Sequence, residues 1–242
     1  MSLVVVFAAG TAVGDVLFPL PIHLTRQVHD SIGGTTATVE QFCYGNRVVS
    51  VNGTRTSIAD YDKNELTEID REDGTYSVTR FDDVAKALAY GVPKGEATQA
   101  QWKVKSGGLE QLRTNRANAA FEAELDEGTT KRRTRIAVDR TVSLSKDALD
   151  VLIGAAYPNS RKAEDAVVLQ AAKGQKDYAL PVEQHTTITL GEDRAEMSDV
   201  VIRVGSELVP PDLIAVPPDA KLVESRVLQR MHALQQLENA QR

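Results

Sequence analysis

Hydrophobic and polar residues alternate through the stretch Tyr44 to Val78, in short runs that are separated by turn residues. In the last run, TYSVTR, the side chains of Tyr76 and Val78 fall on one face, while those of Thr75 and Ser77 fall on the other. A period of two is typical of a β-strand. Apolar residues on one face only are typical of a sheet with one solvent-exposed face. The pattern therefore predicts a sheet with one covered face.

Three turn signals divide this stretch. The dipeptide Asn52-Gly53 predicts a type I′ hairpin with positive φ at both central positions, joining RVVSV to TRTSIAD. The tripeptide Asp62-Lys63-Asn64 and the dipeptide Asp73-Gly74 predict two further turns. Together they predict a meander of short antiparallel strands.

Helical patterns follow the meander. Asp82 is the predicted N-cap of a short helix over DVAKALAY, and SGGLEQLRTNRANAA predicts a second, weaker helix. Ser145 is the predicted cap of a helix over KDALDVLIGAAY, and Ser160 is the predicted start of another. The tail VESRVLQRMHALQQLENAQR predicts a final helix, which could dock onto the body, cover a groove or meet a partner helix.

Strand patterns return between these helices. The segments FEAELDEGTTKRRTRIAVDRTVSL, ALPVEQHTTITL and EMSDVVIRVGSEL predict strands, whereas VPPDLIAVPPDAKL contains too much proline for an interior strand. The basic cluster Lys131-Arg132-Arg133 with Arg135 predicts a solvated edge strand, because charged side chains on an edge oppose aggregation. The predicted fold class is mainly β with helices (α+β), in which helices cover one face of an antiparallel sheet.

Composition narrows the class of protein. The chain has 242 residues, 42% of them hydrophobic, which is enough for a substantial core in one domain. A formal net charge of −6 gives no general attraction for nucleic acid, so no nucleic-acid partner is predicted. Cys43 is the single cysteine, so the chain cannot contain an intramolecular disulfide.

The first 21 residues are apolar but are interrupted by Asp15, and they are too short to span a bilayer. They predict either a first core strand or the trimmed start of an exported chain. The expected organisation is an N-terminal segment at 1–21, a single domain at 22–223 and a helical tail at 224–242. No membrane-spanning segment is predicted.

No catalytic signature is present. The sequence lacks a GxSxG nucleophile elbow, a P-loop, a dinucleotide fingerprint and an HExxH helix. His23, His29, His185 and His232 lie in distant segments and lack metal-ligand spacing, so we interpret them as ordinary strand or surface histidines rather than as a metal or catalytic site. The sequence therefore predicts a protein that is not an enzyme and that uses no cofactor or metal.

Four short motifs follow one another between about Ile22 and Val223, and they are Gly45-Asn46-Arg47, Thr75-Tyr76, Pro181-Val182 and Val216-Pro217. In this order they resemble the lipoprotein-carrier-like (LolA-like) half-barrels of bacterial envelopes, in the branch of uncharacterised envelope proteins. The resemblance implies a curved antiparallel sheet that forms an open half-barrel, with helices covering a concave apolar face that holds acyl chains in the carriers. It also implies a periplasmic or cell-envelope location, and it implies no reaction.

Large aromatic side chains are the candidate ligand-binding residues, with plain core packing as the alternative interpretation. They are Phe42, Tyr44, Tyr76, Trp102 and Tyr157. Two hypotheses follow. In the first, an apolar groove binds a lipid or an acylated partner protein. In the second, the groove is filled, and the sheet edges or the tail helix engage another protein. The sequence does not indicate an oligomeric state.

Overall fold

Twelve strands form one large sheet in a computed structural model that describes residues 16–31, 33–90, 103–111, 117–126, 130–156, 168–169 and 171–240. The strands are β1 Phe18–Asp30, β2 Thr35–Gly45, β3 Arg47–Asn52, β4 Arg55–Asp60, β5 Glu65–Asp70, β6 Thr75–Arg80, β7 Lys103–Gln111, β8 Ala117–Asp126, β9 Thr130–Leu144, β10 Tyr178–Leu190, β11 Asp193–Gly205 and β12 Lys221–Leu222. The helices are α1 Phe81–Ala89, α2 Lys146–Ala156, α3 Pro211–Ile214 and α4 Arg226–Ala240.

The strand order is β12-β6-β5-β4-β3-β2-β1-β11-β10-β9-β8-β7. Neighbouring strands are antiparallel except β12 and β6, which are parallel. The sheet is open, with β12 at one end and β7 at the other. The predicted class, mainly β with an antiparallel sheet, is confirmed, whereas the half-barrel curvature stays a prediction.

The first hairpin forms where it was predicted, but its turn is of a different type. Asn52 pairs with Arg55 at the end of the β3–β4 ladder, so Gly53 and Thr54 are the two central residues. Gly53 has φ +58°, and Asn64 is the single non-glycine residue with positive φ in the described part of the chain. The predicted type I′ turn at Asn52-Gly53 is therefore wrong, because glycine at the first central position alone is the type II′ arrangement.

The next two hairpins share one design. Each has a four-residue loop whose last residue, Asn64 or Gly74, has φ near +60° (57° and 61°). An aspartate precedes each loop and accepts backbone N–H groups from it, as in the 3.1 Å bond from Lys63 N–H to Asp60 Oδ1 and the 3.2 Å bonds to Asp70 Oδ1. These local bonds fix the turns that the sequence predicted.

Of the two predicted helix N-caps, one is wrong and one is confirmed. Arg80 precedes α1 without a side-chain capping bond, and Asp82 lies in the first turn rather than at the N-cap, so that prediction is wrong. The Asp82 carboxylate still stabilises α1, because it lies near the positive end of the helix dipole. At α2 the Ser145 cap is confirmed, since Ala148 N–H donates to Ser145 Oγ at 3.1 Å.

The segment that was predicted as a weak second helix is mostly strand. Strand β7 ends at Gln111 and pairs with β8, which begins at Ala117. The pairing register shifts between Ser106 and Leu109, where two consecutive glycines allow the backbone to bulge. The helical prediction fails because pairing with a neighbouring strand overrides a weak local preference.

The basic cluster is also placed differently from the prediction. Its residues lie in β9, which is paired on both sides by β8 and β10 and is therefore not an edge strand. The charges are instead matched across the sheet: Arg133 contacts Glu122 of β8 at 3.1 Å, and Arg135 contacts Glu183 of β10 at 3.1 Å. Carboxylates on neighbouring strands thus let an interior strand carry a dense basic cluster.

The main hydrophobic core lies on the face of the sheet that α1 and α2 cover, here called the helix face. Leu24, Cys43 and Leu66 point to this face, and Val84 of α1 and Leu149 of α2 pack in the same buried cluster. Helix α2 presents an apolar stripe to the core, because Leu149, Leu152 and Ile153 are all buried. Burial of such side chains is the main source of stability for these elements.

A smaller cluster lies on the opposite face. Residues 209–216, here called the strap, cross this opposite face, which we call the strap face. Val209 of the strap packs with Phe42 and Val49. Arg71 fixes the strap because its Nη2 donates to the carbonyl groups of Asp212 and Leu213, both at 2.8 Å. Both faces of the meander are thus partly covered.

Strand β1 begins at Phe18, which is 2% exposed, so the end of the 1–21 segment joins the core as a strand. Residues 1–15 lie outside the described residues. Among the helices that the structure describes, none combines the length and the hydropathy needed to cross a bilayer.

A buried ion pair joins the N-terminal meander to the C-terminal strands. Arg26 of β1 donates from Nε and Nη2 to the two oxygens of Asp199 in β11, at 3.0 and 2.8 Å. Its Nη1 donates to Gln41 Oε1 of β2 at 3.1 Å. The pair is 4% and 5% exposed, so its charges depend on each other for solvation.

Arg26→Met is expected to lower the free energy of unfolding by about 3–5 kcal/mol, because it leaves Asp199 buried without its cation. The double change Arg26→Met with Asp199→Leu should recover most of this loss. Urea denaturation measures both. Gln27→Met, at the exposed neighbouring position, is the control. An Arg26→Met protein as stable as the control would show that the two halves of the sheet do not depend on this pair.

Cys43 is buried on the helix face, and burial raises the pKa of its thiol to about 12. Because the thiolate is the reactive form, we expect no alkylation by iodoacetamide at pH 8 in the native state. Complete modification is expected in urea, and intact mass measures both states. Rapid native labelling would mean that β2 opens readily.

Candidate functional site

A row of polar side chains crosses the helix face of the sheet. Direct strand pairing places Ser77 beside Glu68, Glu68 beside Ser57, Ser57 beside Ser50 and Ser50 beside Gln41. Beyond Gln41 the row continues through Arg26, Asp199, Gln184, Thr186 and Thr134. Polar side chains on a packed face need hydrogen-bond partners, since burying a polar group without a hydrogen bond costs free energy.

One end of this row lines a cavity of about 280 Å³, here called the meander cavity. Strands β3 to β6 contribute Ser50, Ser57, Glu68 and Ser77 to its lining. The chain around the start of α4 contributes residues from Val223 to Gln229. The cavity therefore lies between the sheet and the C-terminal segment, and its surface is both polar and apolar.

Ser50 is the most deeply buried of these hydroxyl groups. It is 3% exposed, and its Oγ has no hydrogen-bond partner among the described residues. An unpaired buried hydroxyl costs on the order of 1–3 kcal/mol. A group that enters the cavity and pairs with Ser50 recovers that cost.

Glu68 lies at the centre of the lining. Its Oε2 accepts one long bond, from Ser77 Oγ at 3.4 Å. Burial raises the pKa of Glu68, and this effect exceeds the opposing influence of the Ser77 hydrogen bond and of the positive charges on Arg226 and Arg55. The charged carboxylate is thus poorly compensated by the residues that the structure describes.

The two arginines at the cavity are already engaged. Arg55 Nε donates to Asp70 Oδ2 at 2.8 Å, and Arg226 Nη2 donates to the same oxygen at 2.7 Å. Desolvation acts against the charge of Asp70, but backbone N–H groups and these two arginines hold its pKa below the usual value. Asp70 therefore joins the hairpin to the C-terminal segment.

The C-terminal segment, which forms one wall of the cavity, is also attached to the sheet by backbone hydrogen bonds. Lys221 N–H donates to the Gly74 carbonyl at 2.9 Å, and Val223 N–H donates to the Tyr76 carbonyl at 2.8 Å. These bonds extend the sheet beyond β6 by the two-residue strand β12. Helix α4 then contacts α1, where Tyr90 Oη donates to Glu238 at 2.6 Å. One wall of the cavity is thus an attached strand and helix.

The five predicted aromatic residues are not brought to one place. Tyr76 is among the residues at the meander cavity, but it alternates with Ser77 along β6, so its side chain points to the strap face. Phe42 and Tyr44 lie in the cluster on the strap face, on the other side of the sheet. Trp102 and Tyr157 lie outside the described residues, so their role stays a prediction.

A second cavity, of about 220 Å³, lies on the strap face. Tyr44, Ile58 and Ile214 line it together with charged residues that include Arg47 and Asp60. Arg47 Nε donates to Asp60 Oδ2 at 2.9 Å, so these charges are paired. This cavity offers a ligand fewer open polar groups than the meander cavity does.

His23 is buried rather than exposed in its strand. Its Nε2 lies 2.5 Å from Glu40 Oε2, and its Nδ1 lies 3.1 Å from Glu207 Oε2. The ring stacks on Phe42 with a centroid distance of 4.1 Å and an interplanar angle of 11°. The contact with Glu207 holds the segment just before the strap against β1. Within the described ranges, no three His, Cys, Asp or Glu side chains are arranged to hold a metal ion.

The sequence analysis missed Ser50, Ser57, Glu68 and Ser77. A signal was present: in each hairpin, residues equally far from the centre of the turn lie opposite one another. Counting outward from the observed turns aligns the four positions on neighbouring strands, whereas counting from the predicted Asn52-Gly53 turn places Ser50 opposite Arg55. An unpaired Ser50 hydroxyl, in contrast, has no signal in the sequence.

No protein-family model matches the chain, and no curated protein matches it. Among solved structures, the chain is similar to one described as "Structure of PNGF-II in C2 space group", with a TM-score of 0.39 and 8% sequence identity. The alignment covers 88% of this chain and 33% of that chain, so this chain spans about a third of the length of that protein. A similarity at this level supports no argument about function.

Glu68→Gln is expected to increase the free energy of unfolding at pH 7. Since burial raises the pKa of Glu68 above its ordinary value of 4.5, the native state binds this proton more tightly than the unfolded state. The contribution of Glu68 to stability therefore falls as pH rises from 4.5 through the raised value. Urea denaturation at several pH values measures the gain, which should disappear in acid. Glu72→Gln, at an exposed position, should show no such trend.

Proposed function

We propose that this protein is a non-enzymatic binding protein whose ligand site is the meander cavity and whose ligand is a small polar molecule. The observation that carries the proposal is the buried, unpaired Ser50 hydroxyl in the lining of a cavity of about 280 Å³. Binding sites usually place a few polar groups in a concave space to orient a ligand. Ser50, Ser57, Glu68 and Ser77 supply such groups here.

The polar groups of the lining favour this ligand class over an acyl chain. An acyl chain would have to cover the Glu68 carboxylate and the partly exposed Ser57 hydroxyl without pairing them, which is unfavourable. The hypothesis of an apolar groove for a lipid or an acylated partner rests on the resemblance to lipoprotein carriers. It stays a prediction, as do the half-barrel curvature, the helices over a concave face and the periplasmic or envelope location.

A second candidate function is a protein-protein interaction module. The observation that favours it is helix α4, which buries no side chain fully and leaves Leu237 61% exposed. A partner helix could pack against such a surface. This function does not require a ligand in the meander cavity.

Native mass spectrometry of protein purified from cells, followed by extraction of the bound species, tests the proposed function. We expect a polar small molecule at near one-to-one occupancy. Ser50→Val should reduce this occupancy because it removes the hydroxyl group. Thr54→Val, in the exposed turn next to β3, is the matched control and should retain the ligand.

Two other results would contradict the polar-ligand proposal. An extracted acyl-chain species would support the lipid hypothesis in its place. An unliganded mass, with no uptake from a polar metabolite extract, would leave the interaction module as the better account of the protein.

A further inference from the structure

We propose that the meander cavity binds a small hydroxylated amine, whose ammonium group donates hydrogen bonds to the Glu68 carboxylate at the centre of a row of serine hydroxyls. This inference rests on the proposed function and names the class of ligand. It is carried by the hydrogen bonds, charges and spacing of the groups that line the cavity.

Glu68 has unused capacity to accept hydrogen bonds. An ionised carboxylate offers about four acceptor sites. In the described part of the chain, Glu68 accepts one bond from a side chain, the 3.4 Å contact from Ser77 Oγ, and this bond is long. Among the described residues its carboxylate therefore keeps acceptor sites that a ligand could use.

In the described part of the chain, no cation of the lining bonds directly to Glu68. Arg55 and Arg226 are the cationic residues of the lining, and both bond to Asp70 rather than to Glu68. Among the described residues, Glu68 forms no ion pair, although both arginines lie near enough to affect its pKa. A cationic ligand would supply the missing charge.

The serine hydroxyls set the rest of the ligand. Ser77 and Ser57 flank Glu68 on the neighbouring strands, and Ser50 lies on the strand beyond Ser57. Neighbouring strands are about 4.8 Å apart, so these groups suit a compact molecule that carries hydroxyls close to its ammonium group. The cavity volume of about 280 Å³ also fits a small molecule.

An ammonium group matches these acceptors better than an anion does. It has three donors and no acceptor, and its bonds to a carboxylate are strengthened by charge. An anionic ligand would be repelled by the carboxylates of Glu68 and Asp70, which both line the cavity. A neutral polyol can pair with the serines but leaves the carboxylate charge uncompensated.

The test compares 2-amino-1,3-propanediol with glycerol, which differ only in carrying an ammonium group or a hydroxyl on the central carbon. Backbone amide shifts of Ser50, Ser57, Glu68 and Ser77 are followed by NMR during each titration. We expect the amine to bind about tenfold more tightly than glycerol, because one charge-assisted hydrogen bond provides a gain in affinity of this size. Its affinity should rise with pH as Glu68 ionises, whereas that of glycerol should not.

The variants separate charge recognition from general polar binding. Glu68→Gln should bind the amine and glycerol equally, while the matched control Glu72→Gln should keep the preference of the wild type. The amide spectrum of each variant shows directly that it is folded.

Equal affinity of the two probes for the wild type at these amides would overturn the amine inference and leave the polar site in place. An amine preference that Glu68→Gln retains would also overturn it. Absence of shifts with either probe would count against the amine inference, and the native mass measurement then decides the proposed function separately.

Discussion

The bidentate pair between Arg26 and Asp199 is the interaction on which the rest of the sheet depends. It lies where β1 meets β11, which is where the N-terminal meander pairs with the strands of the C-terminal half. An apolar contact at this point would tolerate several registers, whereas a buried arginine that also bonds Gln41 is satisfied in one arrangement. We interpret the pair as a device that fixes register at some cost in desolvation, a role that buried ion pairs have in other proteins.

The same face of the sheet serves two purposes. Where α1 and α2 cover it, apolar side chains such as Leu24 and Leu66 pack against the helices and stabilise the fold. Where the polar row reaches β3 to β6, the covering chain leaves a cavity. Local stability and the cavity therefore come from one face of the sheet, where apolar positions such as Leu66 lie two residues along the strand from polar positions such as Glu68.

Much of the fold could be predicted from the sequence, since turn residues and alternation are local signals. They located the three hairpins of the meander, the Ser145 cap and the final helix. Predictions failed where pairing across the sheet decides the outcome, as in the change from helix to strand in β7. The site was harder to predict, because an error of one residue in the turn at Gly53 shifts the pairing of β3 with β4 by two residues and separates Ser50 from Ser57.

The contact between Asp70 and Arg226 joins residues 156 positions apart in the chain. Hairpins of the meander are local structures that can form early, whereas a contact of this separation forms only after a long loop closes. During synthesis the meander therefore emerges with one side of the cavity uncovered and with the backbone groups of β6 available for pairing. The arrival of β12 and α4 covers that exposed strand and closes the meander cavity in a single step, so that a closed cavity reports that the C-terminal segment has docked onto the meander.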